Sequence, residues 1–212
     1  MWFTDPTLKP DWSEATACLS KVDPVMKSVI KRVGPCGLEP RRDYFIVLAQ
    51  SIFTQQISTK VATVLFNRFR DQFPRRKPTP LLAKAFLTSD DDAAIRSCGI
   101  SRQKRSYLID LCDHFIDRKI PVRRFAQMTD EEVIQSLIPV KGIGRWTAEM
   151  FLIFVLNRPD VFPIDDLGLQ ESYKRLYGLP IRPTAKELLP LGERWRPWRT
   201  VATYYLWRGV EG

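Results

Sequence analysis

The chain has 212 residues, 44% hydrophobic and 27% charged, ordinary proportions for a folded protein with a sizeable core. Lys and Arg outnumber Asp and Glu by 33 to 24, a net charge of +9, which favours a polyanionic partner, nucleic acid being the commonest. No apolar run of twenty residues exists and "MWFTDPTLKPDWSE" lacks the marks of a signal peptide, so a place inside the cell is expected.

The first long apolar pattern is "DYFIVLAQSIFTQQISTKVATVLFNRF" (43–69), whose helical spacing predicts one or two largely buried helices. "FPRRKPTP" (73–80) breaks it with three prolines. Three capping boxes are expected, Ser89 with Asp92, Thr129 with Glu132 and Thr184 with Glu187. In each, a hydroxyl caps the first turn and an acid three residues on reaches back. The Ser89 helix is expected to stop at Gly99, a left-handed terminator. Next, "RQKRSYLIDLCDHFID" is basic at its start and apolar at Leu108, Leu111, Cys112 and Phe115. The fold class is all-α, with about ten helices.

Metal and histidine chemistry find little support. Cys18, Cys36, Cys98 and Cys112 lie far apart without a CxxC pair, which excludes a zinc ribbon or a cysteine-ligated iron–sulfur loop. They are expected to be reduced packing residues. The only histidine, His114, sits inside a helical pattern, where a structural role is expected.

From Thr129 a short helix runs to Pro139, "VKGIG" makes a tight turn, and "RWTAEMFLIFVL" reads as a second helix buried around most of its surface. Gly142 and Gly144 permit close backbone approach, and amides opening a helix make a phosphate site, with Lys141 and Arg145 adding charge. A plain αα-hairpin turn also favours glycine. The two cations and the +9 charge tilt the balance towards a phosphate grip formed by Lys141, Gly142, Gly144, Arg145 and Thr147.

The stretch "LIPVKGIGRWTAEMFLIFVLNRPDVFPIDDLGLQ", with "RWRPWRTVATYYLWR" later and "LAQSIFTQQISTKVA" upstream, closely resembles the helix-hairpin-helix superfamily of DNA glycosylases, in its alkylpurine (3-methyladenine) branch. The resemblance covers roughly residues 40–210. It implies two helical lobes with a DNA-binding cleft between them and a helix-hairpin-helix motif near 130–157. A wedge lobe at 44–128 and a second lobe from 1–43 with 129–212 would make up one glycosylase unit. The chain looks like the compact form, without the N-terminal β domain of the bacterial archetype.

What the resemblance implies can be weighed as chemistry. A purine methylated at N3 or N7 is cationic and leaves readily, so one carboxylate can stabilise an oxocarbenium-like sugar and orient water. The family motif places that carboxylate at Asp166 and leaves Asp165 to cap the helix "LGLQESYKRLYG"; the residues alone do not separate the two. The flipped base would enter a pocket walled by Trp146 and Trp207, with Met150 and Phe53 as further candidates, since a π face attracts a cationic base. The family's intercalating wedge falls at Gln56, with Gln55 beside it. Trp146 stands where bifunctional relatives carry a lysine, so base release without strand nicking is expected. The family's hairpin often holds a monovalent cation, here through the carbonyls of Ile138, Val140 and Ile143.

No cofactor is expected. The expected partner is double-stranded DNA containing alkylated purines, bound by a monomer with no membrane involvement, in the nucleoid or the nucleus. Two alternatives stay open. A non-enzymatic hairpin DNA-binding protein needs no special acid after the hairpin, and Asp166 speaks against it. A glycosylase for oxidised or deaminated bases is opposed by the missing lysine and the tryptophans.

Overall fold

A computed structural model describes residues 11–211; residues 1–10, with most of the segment read against a signal peptide, and residue 212 lie outside the described residues. In chain order the helices are α1 (Ser13–Val22), α2 (Pro24–Val33), α3 (Tyr44–Thr54), α4 (Thr59–Asp71), α5 (Pro80–Leu87) and α6 (Asp92–Ser97). There follow α7 (Arg102–Ile116), α8 (Asp130–Leu137), α9 (Arg145–Phe154), α10 (Leu167–Tyr177), α11 (Ala185–Leu191) and α12 (Arg199–Gly209). Among the described residues there is no strand, in keeping with the all-α reading, and no helix is long and apolar enough to cross a membrane.

The chain divides into two compact units, the described parts of Met1–Arg41 with Leu152–Gly212, and Arg42–Phe151. The hairpin therefore groups with the central unit, whereas the sequence reading joined 129–212 to the terminal lobe.

In the central unit α3 buries Phe45, Leu48, Ala49, Ile52 and Phe53, one face of a 3.6-residue repeat. Phe53 packs on Phe66 at 5.2 Å between ring centroids and on Phe69 at 5.4 Å. The apolar stretch 43–69 resolves into two helices. Ser58 caps α4 by accepting the Val61 amide at 3.4 Å, and such a side chain competes with continuation of the preceding helix.

Thr129 and Thr184 form the expected capping boxes with Glu132 and Glu187. The box at Ser89 is corrected. Asp91 caps α6 through the Ala94 amide at 2.9 Å, while the Ser89 hydroxyl donates back to the Phe86 carbonyl at 2.8 Å. The helix starts too late for Ser89 to reach it, and Asp92 is held by Arg105 at 2.6 Å. Gly99 is left-handed, as its role as a stop requires.

The terminal unit is organised around Asp23, which is 1% exposed. One oxygen caps α2 through the Val25 and Met26 amides at 3.0 and 3.1 Å. The other accepts the Tyr177 hydroxyl at 2.6 Å and the Trp195 indole at 3.0 Å, with Arg194 at 3.2 Å. Burial pushes this carboxyl up, but the hydroxyl, amide and indole donors and the Arg194 charge together hold it below its ordinary value.

His114 has Nδ1 at 2.9 Å from the Asp110 carbonyl, a structural placement. The thiols are free; Cys98 and Cys112 are buried, and burial pushes Cys112 up to about 12. Cys18 is exposed, so the expectation that all four pack is corrected there.

Candidate nucleic-acid interface and active-site carboxylate

The hairpin closes through local amides. Ile138 donates to Ile134 at 3.0 Å, Val140 to Leu137 at 3.1 Å and Ile143 to Val140 at 3.0 Å. Val140 and Ile143 are buried and anchor the turn from below. Gly142 has φ +82°, and a Cβ there would lie 2.3 Å from the Tyr107 ring, so both backbone and packing require glycine. Around a Cβ at Gly144 nothing lies within 4 Å, so the protein itself leaves that side open.

The cations behave differently from one another. Lys141 donates its backbone amide to Asp110 at 2.9 Å and keeps a side chain 65% exposed, with Nζ 3.8 Å from Asp110. Arg145, expected to contact phosphate, has its guanidinium on Glu131 through two bonds of 3.1 and 2.7 Å and on Glu149 at 3.3 Å. Its charge is offset by acids on its own helix and on α8, pairs on an exposed side chain with which a phosphate would compete for the guanidinium. The Arg145 hydrogen bonds, with one from Gln135, hold the Glu131 carboxyl down at about 2. Thr147 is 9% exposed and belongs to the buried side of α9. For the cation implied at the carbonyls of Ile138, Val140 and Ile143, the Val140 oxygen already takes the Ile143 amide, though a carbonyl has a second lone pair.

Helix α9 is less buried than its sequence suggests. Ala148, Phe151, Leu152 and Ile153 are buried, but Trp146 is 50% and Phe154 41% exposed, and Met150 is half-buried. The spacing of Trp146, Met150 and Phe154 by four residues marks one helical stripe. That stripe was the available signal for Phe154, which the sequence reading missed.

The two glutamines after α3 also separate. Gln55 donates its side-chain amide to the Gly142 carbonyl at 2.7 Å and serves the hairpin. Gln56 is exposed and left-handed at φ +62°, a conformation that costs a non-glycine residue about 1–2 kcal/mol. Phe53, offered above as a pocket wall, is 1% exposed and lies in the Phe66–Phe69 cluster. It is a core residue, because its place on the α3 stripe points it inward.

The two aspartates resolve against the expected division of labour. Asp166, not Asp165, caps α10, its Oδ1 accepting the Leu169 amide at 2.5 Å. Asp165 is exposed one position earlier, too far back for a cap, since the helix begins at Leu167. Oδ1 of Asp166 also accepts the Trp207 indole N–H at 3.1 Å. The Trp207 ring stacks on Phe154, centroids 5.7 Å apart and planes 18° from parallel. Gly168 stands beside them and was also missed; no spacing rule would have singled it out.

Residues 49–197 match the family model described as HhH-GPD superfamily base excision DNA repair protein. The alkylbase DNA glycosidase-like protein mag2 of Schizosaccharomyces pombe is 30% identical over 93% of both chains. The solved 3-methyladenine DNA glycosylase Mag1 of the same yeast, in complex with abasic DNA, is 36% identical, with a TM-score of 0.79 over 92% of this chain and 95% of that one. A DNA-3-methyladenine glycosidase structure from Bacillus halodurans gives 32% identity and a TM-score of 0.77 over 94% of this chain and 90% of that one. The chain described here belongs to the HhH-GPD superfamily of base excision DNA repair proteins.

Proposed function

We propose that the protein excises alkylated purines of the 3-methyladenine and 7-methylguanine type from double-stranded DNA, leaving an abasic site. The observation that carries this reading is the Asp166 carboxylate, oriented by two donors beside the stacked Trp207–Phe154 pair in a chain that also holds the glycine hairpin. As the glycosidic C–N bond breaks, its electron pair leaves with the cationic base, which departs neutral. Asp166 offsets the positive charge growing on the sugar and hydrogen-bonds the water that adds to C1′. The water's second proton passes to the carboxylate or to solvent. No lysine takes part, so the strand is not nicked. In the terminal unit Trp207 supplies π surface for the flipped base; in the central unit Trp146 and Met150 offer further apolar surface, Gln56 the wedge, and Lys141 with the amides of Gly142, Gly144 and Arg145 the phosphate grip. The enzyme acts as a monomer where the genome is, in the nucleoid or the nucleus.

The test is release of free base from DNA treated with a methylating agent, identified by chromatography, for the parent and for Asp166→Asn. Asparagine keeps an oxygen for both donors and caps equally well, so folding survives while the charge is lost. Excision is expected to fall by roughly 100-fold or more, on the scale of losing a central electrostatic stabiliser. Release of neither 3-methyladenine nor 7-methylguanine by the parent above the spontaneous rate overturns the substrate assignment. Parent-like excision by Asp166→Asn moves the catalytic carboxylate elsewhere.

A further inference from the structure

Four residues of the terminal unit, Phe154, Asp166, Gly168 and Trp207, meet at the start of α10. The Leu169 amide and the Trp207 indole N–H converge on a single oxygen, Oδ1 of Asp166, at 2.5 and 3.1 Å. Two donors on one oxygen restrict both the rotamer and the plane of the carboxylate. Phe154 lies against one face of the indole, so Trp207 is held by its face and its edge together. Gly168 completes the arrangement. A Cβ there would sit 3.1 Å from Asp166 Oδ1, close enough to press on the carboxylate by a few tenths of an ångström, and 3.7 Å from Trp207 Nε1, an ordinary contact. Gly168 lies inside the first turn of a helix, where glycine is a poor choice on propensity alone.

We propose that Trp207 is a positioning residue of the catalytic carboxylate, acting through its indole N–H, with Gly168 leaving the carboxylate room to accept it. The role rests on the reading of Asp166 given above. It differs from that of a pocket wall, for which only the ring surface matters: here one polar hydrogen carries the effect. A base stacked on the indole would add to this role rather than replace it.

The test replaces Trp207 by 3-benzothienylalanine, which keeps the ring area and exchanges the N–H for sulfur. Single-turnover excision, affinity for an abasic-site duplex and thermal stability are measured beside the parent. Excision is expected to drop about tenfold to a hundredfold, the effect of one hydrogen bond to a charged group, with affinity changed by less than about twofold. Gly168→Ala, which presses on the carboxylate without removing the donor, is expected to slow excision by less, again without loss of affinity. A second arm needs no substrate: the Trp207 indole proton, observed by NMR, should move upfield in Asp166→Asn.

Excision at the parent rate by the benzothienyl variant overturns the role, as does a loss matched by an equal loss of affinity. So does an indole proton indifferent to Asp166→Asn. A parent that releases no base overturns the proposed function and this role together, whereas an active parent with an equally active isostere overturns this role alone.

Discussion

Gln55 donates its side-chain amide to the Gly142 carbonyl at 2.7 Å, joining the loop after α3 to the hairpin turn 87 residues later. Two parts of the candidate DNA surface are thus held in register by one hydrogen bond, and the neighbouring Gln56 is left exposed on a left-handed backbone.

Gln56→Gly separates strain from function at that position. Relief of the left-handed conformation offsets the entropy glycine gains on unfolding, so thermal stability should stay level or rise by about 0.5–1 kcal/mol. Excision from duplex should fall, because nothing fills the gap left by the flipped base. Thermal melts and single-turnover assays check the pair; unchanged excision would remove Gln56 from the wedge.

The two hairpin glycines should respond in opposite ways. Gly142→Ala places a methyl into the Tyr107 ring on a φ of +82°, and a loss of about 2 kcal/mol or more in denaturant unfolding is expected. Gly144→Ala meets no protein atom, so stability should change by less than about 0.5 kcal/mol. Its cost should appear instead as weaker binding to damaged and undamaged duplex alike, since phosphate contacts carry no sequence information.

Releasing Arg145 should tighten DNA binding. Glu131→Gln removes the bidentate partner and one negative charge, so affinity for undamaged duplex should rise, with a salt dependence steeper by about one unit of log–log slope. The pairing has a pH window too. With its pKa depressed to about 2, Glu131 favours folding above its ordinary pKa of about 4.3, and that contribution fades as pH falls towards 2. Titrating affinity against salt for both proteins measures the first effect, and an unaltered slope would argue that Glu149 alone retains Arg145.

Asp23 should be the principal acid-sensitive anchor of the terminal unit. Asp23→Ala leaves the Tyr177 hydroxyl and Trp195 indole without their shared acceptor, and about 3–5 kcal/mol of stability should be lost. Since the folded carboxyl is held below its ordinary value, its contribution is complete above about pH 3.9 and lost as pH falls through the lower folded value. Asp23→Asn keeps the cap and should flatten the acid limb of the stability–pH curve, measured by denaturant unfolding at stepped pH.

The sequence by itself determined what depends on neighbours within about four residues. The boxes at Thr129 and Thr184, the stop at Gly99 and the hairpin turn at 140–144 all follow from local geometry, and each is present. Only the tertiary structure decided which oxygen meets which donor. Asp166 meets the Leu169 amide only three residues on, but its bond from Trp207 spans 41 residues. Glu131 reached Arg145 because the turn at 138–144 folds α8 back towards α9, and Phe53 joined the core because α4 brought Phe66 and Phe69 onto it. Residue type and spacing name the groups able to act; long-range packing selects their partners, because desolvation and hydrogen-bond geometry are set by chain segments far apart in sequence.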